Sequence, residues 1–221
     1  MLAGVSAGVG PVAAEPAEIR VLGCLIEKQR ATPDAYPLTL NSLRLACNQS
    51  TNRDPVVDYD EATVRAALQR LSGRRWTRMA SGAGSRAPKF RHLLDEALGL
   101  DAAELSLLCV LMLRGAQTPG ELKGRAERLH AFADLAAAET TLDRLVERGL
   151  AARLERRPGQ KEERYEQLLG VRPEAEHAPA APASAALAPA PAGLEARVER
   201  LERELESLRG TVDGLRRELG A

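Results

Sequence analysis

The fold of this chain is decided by the stretch TPGELKGRAERLHAFADLAAAETTLDRLVERGLAARL, residues 118–154. The stretch opens with Thr118-Pro119-Gly120-Glu121, which combines an N-cap, a proline at the first helical position and a capping-box glutamate. These residues predict the start of a helix. A further helix is predicted by apolar residues at helical spacing, namely Leu135, Ala138, Leu142 and Leu145. A strand is predicted next by alternating apolar residues at Leu150, Ala152 and Leu154.

The residues on either side complete this pattern. Upstream, Asp101 and Glu104 form another capping-box signature ahead of apolar residues at helical spacing, which predicts one more helix. Downstream, Arg157-Pro158-Gly159-Gln160 predicts a turn, and Arg164-Tyr165 predicts the start of a returning strand. Three helices closed by a β-hairpin are the elements of a winged helix, which is a helix-turn-helix with a hairpin wing.

The preceding part of the chain has the same order of elements. Helical spacing predicts a helix from Pro16 to about Gln29, a short one around Leu40, Leu43 and Cys47, and a third ending at Ser72-Gly73. The third helix is expected to start at Asp58 or Asp60, because Asp58 with Glu61 three residues later resembles a capping box. Strands are predicted at residues 76–81 and 89–93.

The two units align with each other over most of their length. We pair Thr32-Pro33 with Thr118-Pro119, Leu68 and Leu71 with Leu142 and Leu145, and Lys89-Phe90 with Arg164-Tyr165. This alignment places an insertion of about twelve residues between the second and third helices of the first unit. The predicted fold is mostly α-helical with small β-hairpin wings, as two tandem winged-helix domains at residues 15–95 and 96–172.

Three further segments flank these domains. Residues 1–14 contain no charged residue and are expected to be a disordered leader. Residues 173–193 are expected to be an Ala/Pro linker. Residues 194–219 have an unbroken heptad pattern, which predicts a parallel two-stranded coiled coil and hence a homodimer. The alternative is a helix that folds back on its own domains. The predicted dimerisation residues are Leu194, Val198, Leu201, Leu205, Leu208, Val212, Leu215 and Leu219.

Composition excludes several classes of protein. Aromatic residues make up 3% of the chain, which disfavours RNA-binding modules that stack bases on aromatic side chains. Cys24, Cys47 and Cys109 are far apart and form no C-x-x-C pair, so we expect neither a disulfide framework nor a zinc site. Apolar runs are too short to span a membrane, and the start of the chain does not resemble a signal peptide, so a cytoplasmic location is expected.

No pattern indicates catalysis. The match to G-x-G-x-x-A at residues 82–87 is followed by Pro88 and by no helical pattern, which a dinucleotide site requires. The three histidines, His92, His130 and His177, have no ligand-like spacing with Cys or acidic residues. We therefore expect no enzyme, no cofactor and no metal.

Residues 62–94 carry eight basic residues and no acidic one. In a winged helix this span is the third helix and the wing, which commonly contact the major groove and the flanking phosphates of duplex DNA. Base edges are expected to be read by Arg65 and Gln69, and further DNA contacts are expected from Arg70, Arg74, Arg78, Arg86 and Lys89. The alternative is a solvated basic face. The third helix of the second unit carries Glu139, Asp143 and Glu147 and is expected to be a poor DNA reader.

Two motifs resemble the YceH family of bacterial proteins of unknown function. They are ACNQSTNRDPV at residues 46–56 and LRGAQTPGEL at residues 113–122, and LGCLIEK at 22–28 also fits. The resemblance implies a pair of winged-helix domains and no established activity. Asn48, Asn52 and Arg53 match the first motif, and they either contact DNA or stabilise a long loop.

The sequence therefore supports two hypotheses. The first is a dimeric, non-enzymatic DNA-binding protein of regulator type that uses its first winged helix. The second is a tandem winged-helix scaffold that binds another protein. The two differ in where the basic span lies: on one exposed face it favours DNA, whereas burial in salt bridges with the second unit favours the scaffold.

Overall fold

The computed structural model describes residues 13–80, 87–156 and 162–171. Its first repeat contains three helices, α1 (Pro16–Ala31), α2 (Leu40–Cys47) and α3 (Glu61–Gly73). A short 3-10 turn, Pro33–Ala35, precedes strand β1 (Leu38–Thr39), and strands β2 (Thr77–Met79) and β3 (Lys89–His92) follow α3. The three strands form an antiparallel sheet in the order β1-β3-β2.

The second repeat has the same order of elements. A connecting helix α4 (Leu94–Leu98) leads to helices α5 (Ala102–Arg114), α6 (Pro119–Ala126) and α7 (Leu135–Glu147). Strands β4 (Ala151–Leu154) and β5 (Arg164–Gln167) then pair antiparallel. The described part of the chain is therefore mostly helical with small antiparallel sheets, as the sequence predicts.

Most of the predicted helix starts are confirmed. Capping boxes are present at the starts of α5 and α6, with Asp101 and Thr118 as the N-caps. The capping box predicted from Asp58 and Glu61 is wrong. Asp60 is the N-cap of α3, and its carboxylate accepts a hydrogen bond of 2.8 Å from the backbone N–H of Thr63. Asp58 instead accepts a hydrogen bond from the amide of Asn48.

The alignment of the repeats needs one correction at the second helix. Thr39 caps α2 as Thr118 caps α6, and these two residues are 79 positions apart. Thr32-Pro33, which the sequence alignment pairs with Thr118-Pro119, instead begins the 3-10 turn after α1. Equivalent residues are 86 positions apart in α1 and α5 and 74 apart in α3 and α7. The first repeat therefore has seven extra residues before α2 and five after it, and not a single insertion of twelve.

The two repeats share one hydrophobic core through their first helices. Residues 18–26 of α1 are all buried, as are residues 104–113 of α5, so both helices are covered on every side. The helices meet where Gly23 lies against Cys109, whose thiol is 3.3 Å from the carbonyl oxygen of Gly23. A Cβ atom at Gly23 would lie 2.9 Å from Leu113 Cδ2 and 3.2 Å from Met112 Cβ. Close packing of α1 on α5 therefore requires glycine at this position.

The ends of the chain fall mainly outside the described residues. The linker predicted at 173–193 and the coiled coil predicted at 194–219 lie there, and so do residues 1–12. The prediction of disorder is wrong for the last part of the leader, because Ala14 is buried and bridges Gly170 in a parallel pair. Of the helices that the structure describes, none is both long and apolar enough to cross a membrane.

Replacing Gly23 tests the close contact between α1 and α5. We expect Gly23→Ala to lower the free energy of unfolding by about 1–3 kcal/mol, because the added methyl group overpacks the interface. The control is Gly124→Ala in α6, where a Cβ atom meets nothing within 4 Å. This variant should be neutral or more stable by up to about 1 kcal/mol, the gain in helix propensity. Urea unfolding measures both, and equal stability of Gly23→Ala and wild type would contradict the packing argument.

Candidate nucleic-acid interface

Two of the predicted DNA contacts form an ion-pair arrangement that occurs in both repeats. Arg74, which follows α3, lies 3.3 Å from Glu18 on α1, and the side chain of Glu18 is 1% exposed. The equivalent residues of the second repeat, Arg148 and Glu104, are 2.8 Å apart, and Glu104 is 5% exposed. The arginine after the third helix therefore neutralises a buried glutamate in the first turn of the first helix, twice in one chain.

Arg70 belongs to the same arrangement. Its guanidinium lies 3.2 Å from Glu15 and 3.4 Å from Glu18, and the equivalent pair of the second repeat, Arg144 and Asp101, is separated by 3.0 Å. Arg74 also stacks on the Trp76 ring, with 5.5 Å between its guanidinium carbon and the ring centroid. Arg70 and Arg74, both predicted to contact DNA, thus tie α3 to the start of α1, a structural role that the sequence did not predict.

The other two predicted residues of α3 lie on its exposed face. Arg65 and Gln69 are one turn apart and point away from the buried side formed by Val64, Leu68 and Leu71. Among the described residues Arg65 forms an ion pair with Glu61 alone, at 3.9 Å, and both side chains are more than half exposed. The structure therefore brings Arg65 and Gln69 together as a polar surface on which the arginine is weakly paired.

The β2-β3 hairpin adds basic residues beside α3. Arg78 on β2 is exposed and lies directly opposite Arg91 on β3. Arg91 is hydrogen bonded to Glu96, whereas no residue in the described ranges pairs with Arg78. Lys89 is half-buried at the start of β3, and Arg86 falls in the undescribed segment 81–86. Because Arg91 is neutralised by Glu96, the uncompensated positive charge of the two opposed arginines is that of Arg78.

Arg53, in the first motif, is not available to DNA. Its side chain is 0% exposed, and its guanidinium donates to both carboxylate oxygens of Glu27, at 3.1 and 2.6 Å. It also donates to the Ala46 carbonyl at 3.1 Å and to Gln49 Oε1 at 3.0 Å. The prediction that Arg53 binds DNA is wrong, since a buried guanidinium with these partners cannot reach a phosphate.

The asparagines of the motif stabilise the same loop. The Asn48 amide donates to the Tyr59 carbonyl at 2.8 Å and accepts from the Tyr59 N–H at 2.9 Å, which closes residues 48–59 at their base. Asn52 adopts a φ of 57° and accepts a hydrogen bond of 2.8 Å from Arg114 on α5. Of the two interpretations that the sequence allows, the structure favours loop stabilisation over contact with DNA for both asparagines.

Sequence reasoning missed a second buried arginine that holds this loop. Arg20, 4% exposed on α1, donates to the Cys47 carbonyl at 3.2 Å and to the Pro55 carbonyl at 2.6 Å. The Asp54 N–H also donates to the Leu113 carbonyl at the end of α5, at 2.9 Å. The sequence pattern that could have indicated a buried arginine is the position of Arg20 between Ile19 and Val21, in an otherwise apolar stretch of the predicted helix.

The cysteines and His92 lie in the interior. Cys24, Cys47 and Cys109 are all buried as free thiols, and burial raises the pKa of Cys109 well above its usual value. Burial lowers the pKa of His92 to about 4, so His92 is neutral at pH 7, with Nε2 2.5 Å from Gln29 Oε1. Within the described ranges, no cluster of His, Cys, Asp and Glu has the arrangement of a metal site.

Similarity to other proteins covers both repeats. Residues 14–160 match a family described as "Protein of unknown function, DUF480". The chain belongs to this family. YceH is a member of it, which confirms the resemblance seen in the two motifs.

Several bacterial proteins resemble this DUF480 chain along most of their length. A UPF0502 protein of Geobacter sulfurreducens is 52% identical over 174 residues, which are 77% of this chain and 79% of that protein. A UPF0502 protein of Pelobacter propionicus is 55% identical over 155 residues, 69% of this chain and 70% of that protein. A UPF0502 protein of Solibacter usitatus is 50% identical over 155 residues, which are 70% of this chain and 75% of that protein. None of these protein names states an activity.

The loop anchor of this DUF480 protein can be tested at Arg53. We expect Arg53→Leu to lower the free energy of unfolding by about 3–5 kcal/mol, because it removes both hydrogen bonds to the largely buried Glu27 carboxylate and leaves the Ala46 carbonyl without its donor. Lys28, 3.7 Å from Glu27, remains as the weaker ion-pair partner. Arg65→Leu is the matched control and should change stability by no more than about 0.5 kcal/mol, since Arg65 is exposed. Urea unfolding of both variants measures the difference. Unfolding of the Arg53 variant at the wild-type urea concentration would show that the ion pair is not an anchor.

Proposed function

We propose that this protein is a non-enzymatic DNA-binding protein in which each repeat is a winged helix and the first repeat contacts duplex DNA. The observation that carries the proposal is a difference between the repeats. Arg65 and Gln69 on the exposed face of α3 correspond to Glu139 and Asp143 on α7. One repeat therefore presents a face that attracts a phosphate backbone, and the other presents a face that repels it.

Comparing the repeats separates two kinds of basic residue. Arginines present in both, Arg70 with Arg144 and Arg74 with Arg148, make the same ion pairs, which tie the third helix of each repeat to the start of its first helix. Arg65 and Arg78, which the second repeat lacks, make no ion pair with the first helix. Arg65 corresponds to Glu139 and Arg78 to Ala152, so these two positions are free to serve an interface that the second repeat lacks.

The role of each residue follows from its position. The exposed face of α3 would enter the major groove, where Arg65 can donate to guanine and Gln69 can pair with adenine. Arg78 on the hairpin would contact a phosphate, which would compensate its positive charge. Lys89 and Arg86 remain candidate phosphate contacts of the wing. Contacts of this kind give binding that weakens steeply with salt.

DNA binding is tested by fluorescence anisotropy with a labelled duplex over a range of salt concentrations. We expect Arg78→Ala to weaken binding for all sequences and to reduce the slope of log affinity against log salt by about 1, the value for one lost phosphate contact. Arg65→Glu with Gln69→Asp, which copies the second repeat, should weaken binding further. Absence of wild-type binding at about 50 mM salt would contradict the proposal.

A matched control separates charge from position. Arg128→Ala removes an exposed arginine that follows α6 in the second repeat, and Glu139→Ala removes an acidic residue from the face of α7 equivalent to that of Arg65. Neither should reduce the salt slope if only the first repeat binds DNA. Equal loss of affinity in Arg78→Ala and Arg128→Ala would show general electrostatic attraction in place of a defined interface.

The second candidate is a scaffold that binds another protein, and the acidic face of the second repeat favours it. Glu139, Asp143, Glu162 and Glu163 line one groove between α7 and the β4-β5 hairpin. Arg153 forms ion pairs on both sides of this groove, 2.8 Å from Asp143 on α7 and 3.3 Å from Glu163 next to β5. The ion pairs of Arg70 and Arg74 are made within the first repeat, so burial against the second repeat does not account for the basic span.

We also propose that the heptads at residues 194–219 make the protein a homodimer, since four leucines at d and Val or Leu at a suit a parallel two-stranded coil. Dimerisation would join two DNA-contacting repeats through long linkers and raise affinity by avidity.

Leu201→Asp with Leu208→Asp should halve the solution mass measured by light scattering, because charges at d disrupt the seam. Arg203→Ser, at the outward f position, should leave a dimer. A monomeric wild type at micromolar concentration would favour the folded-back helix.

A further inference from the structure

A cavity of about 1090 Å³ lies where the two repeats meet. On one side it is lined by residues between α3 and β2, and on the other by the equivalent residues between α7 and β4. Arg74, Arg75 and Trp76 thus face Arg148, Gly149 and Leu150, residue for residue. Ligand sites occur preferentially at such junctions between structural units.

The walls of this cavity are mainly apolar. Trp76, Leu93, Leu98, Leu150, Leu168 and Leu169 contribute side chains to them. Leu168 remains 41% exposed, an unusual state for a large apolar side chain beside other apolar side chains. The cavity therefore offers a surface that would be covered favourably by an apolar group.

The charges around the cavity leave one positive charge uncompensated. Arg70 and Arg74 are paired with Glu15 and Glu18, and Arg148 is paired with Glu104. Glu96, which also lines the cavity, is paired with Arg91. Arg75 makes no ion pair or side-chain hydrogen bond with any residue in the described ranges. The site therefore has room for one negative charge, because a second would find no other unpaired cation among the described lining residues and would lie beside Glu96.

Arg75 also has an unusual backbone. Its φ is 59°, in the left-handed region, and the equivalent residue of the second repeat is Gly149 with a φ of 67°. Glycine adopts this conformation without strain, whereas a residue with a Cβ atom does so at a cost. The first repeat therefore has arginine, with its long cationic side chain, at a position where the second repeat has glycine.

We propose that this cavity binds a single-chain amphiphile with one carboxylate, a fatty-acid-like ligand. The carboxylate accepts charge-assisted hydrogen bonds from Arg75, and the apolar chain lies against Trp76 and the leucines of both repeats. A phosphate monoester, with nearly two negative charges at pH 7, is disfavoured because Arg75 alone of the lining arginines has no ion pair among the described residues, and because Glu96 also lines the cavity. This binding site is separate from Arg65, Gln69 and Arg78 and does not depend on DNA binding.

The single tryptophan of the chain reports on this site directly, because Trp76 lines the cavity. We expect decanoate, added to the full-length protein below its micellar range, to change Trp76 fluorescence saturably. Acetate lacks the chain and decanol lacks the charge, so both should require at least about tenfold higher concentrations. Acrylamide should quench Trp76 in the free protein, and decanoate should reduce that quenching.

Two variants test the two halves of the site. Arg75→Gly should raise the Kd for decanoate at least about tenfold, the effect of one lost charged hydrogen bond, while stability is unchanged or higher because the backbone strain is relieved. Ala97→Phe narrows the apolar wall from α4 and should weaken decanoate binding with Arg75 intact. Arg78→Ala, which removes a cation outside the cavity, should bind decanoate as wild type does.

The proposal is overturned by any of four results: no saturable change with decanoate, decanol binding as tightly as decanoate, wild-type affinity in Arg75→Gly, or a Trp76 already shielded from acrylamide in the free protein. The last result would mean that another part of the chain occupies the cavity.

DNA binding measured on Arg75→Gly separates this proposal from the proposed function. Loss of decanoate binding with intact DNA affinity supports the ligand site alone.

Discussion

The contact of α1 with α5 at Gly23 is the constraint on which the rest of the structure depends. Each repeat has few aromatic side chains and about 75 residues, a size at which a single core is only marginally stable. Packing the first helices of both repeats against each other covers both helices on all sides. The backbones approach closely enough only because position 23 has no side chain. The junction cavity and the loop contacts to α5 exist because the repeats are joined in this way.

The internal duplication shows which charges hold the fold together. Buried Glu18 and Glu104 occupy the same position in the first turn of their helices, and each is neutralised by the arginine that follows the third helix of its repeat. A buried carboxylate that lost this partner would be costly, so these arginines are constrained. The positions that differ between the repeats, such as Arg65 and Glu139, lie on exposed faces where charge is free to follow function.

The most distinctive motif of the chain, residues 46–56, is an anchor of the fold. Arg53, Arg20 and Asn48 satisfy backbone carbonyls and one carboxylate that a loop of this length would otherwise leave unpaired in the interior. Polar residues in a motif are as easily explained by this requirement as by a ligand. The exposed part of the basic span is therefore smaller than the span in the sequence, and it includes Arg65, Gln69 and Arg78.

Local signals in the sequence determined the order of elements, because an N-cap such as Thr118 and the apolar spacing of Leu135 to Leu145 act within a few residues. The sequence also showed that the chain contains a repeat. The tertiary structure alone decided which arginines are exposed, since Arg74 and Arg78 are indistinguishable by type and differ only in the distance to Glu18. It also decided that Thr39, and not Thr32, caps the second helix, and that Arg53 is buried against Glu27 from a helix 26 residues earlier. Pairing across such separations depends on how helices pack, which no local pattern encodes.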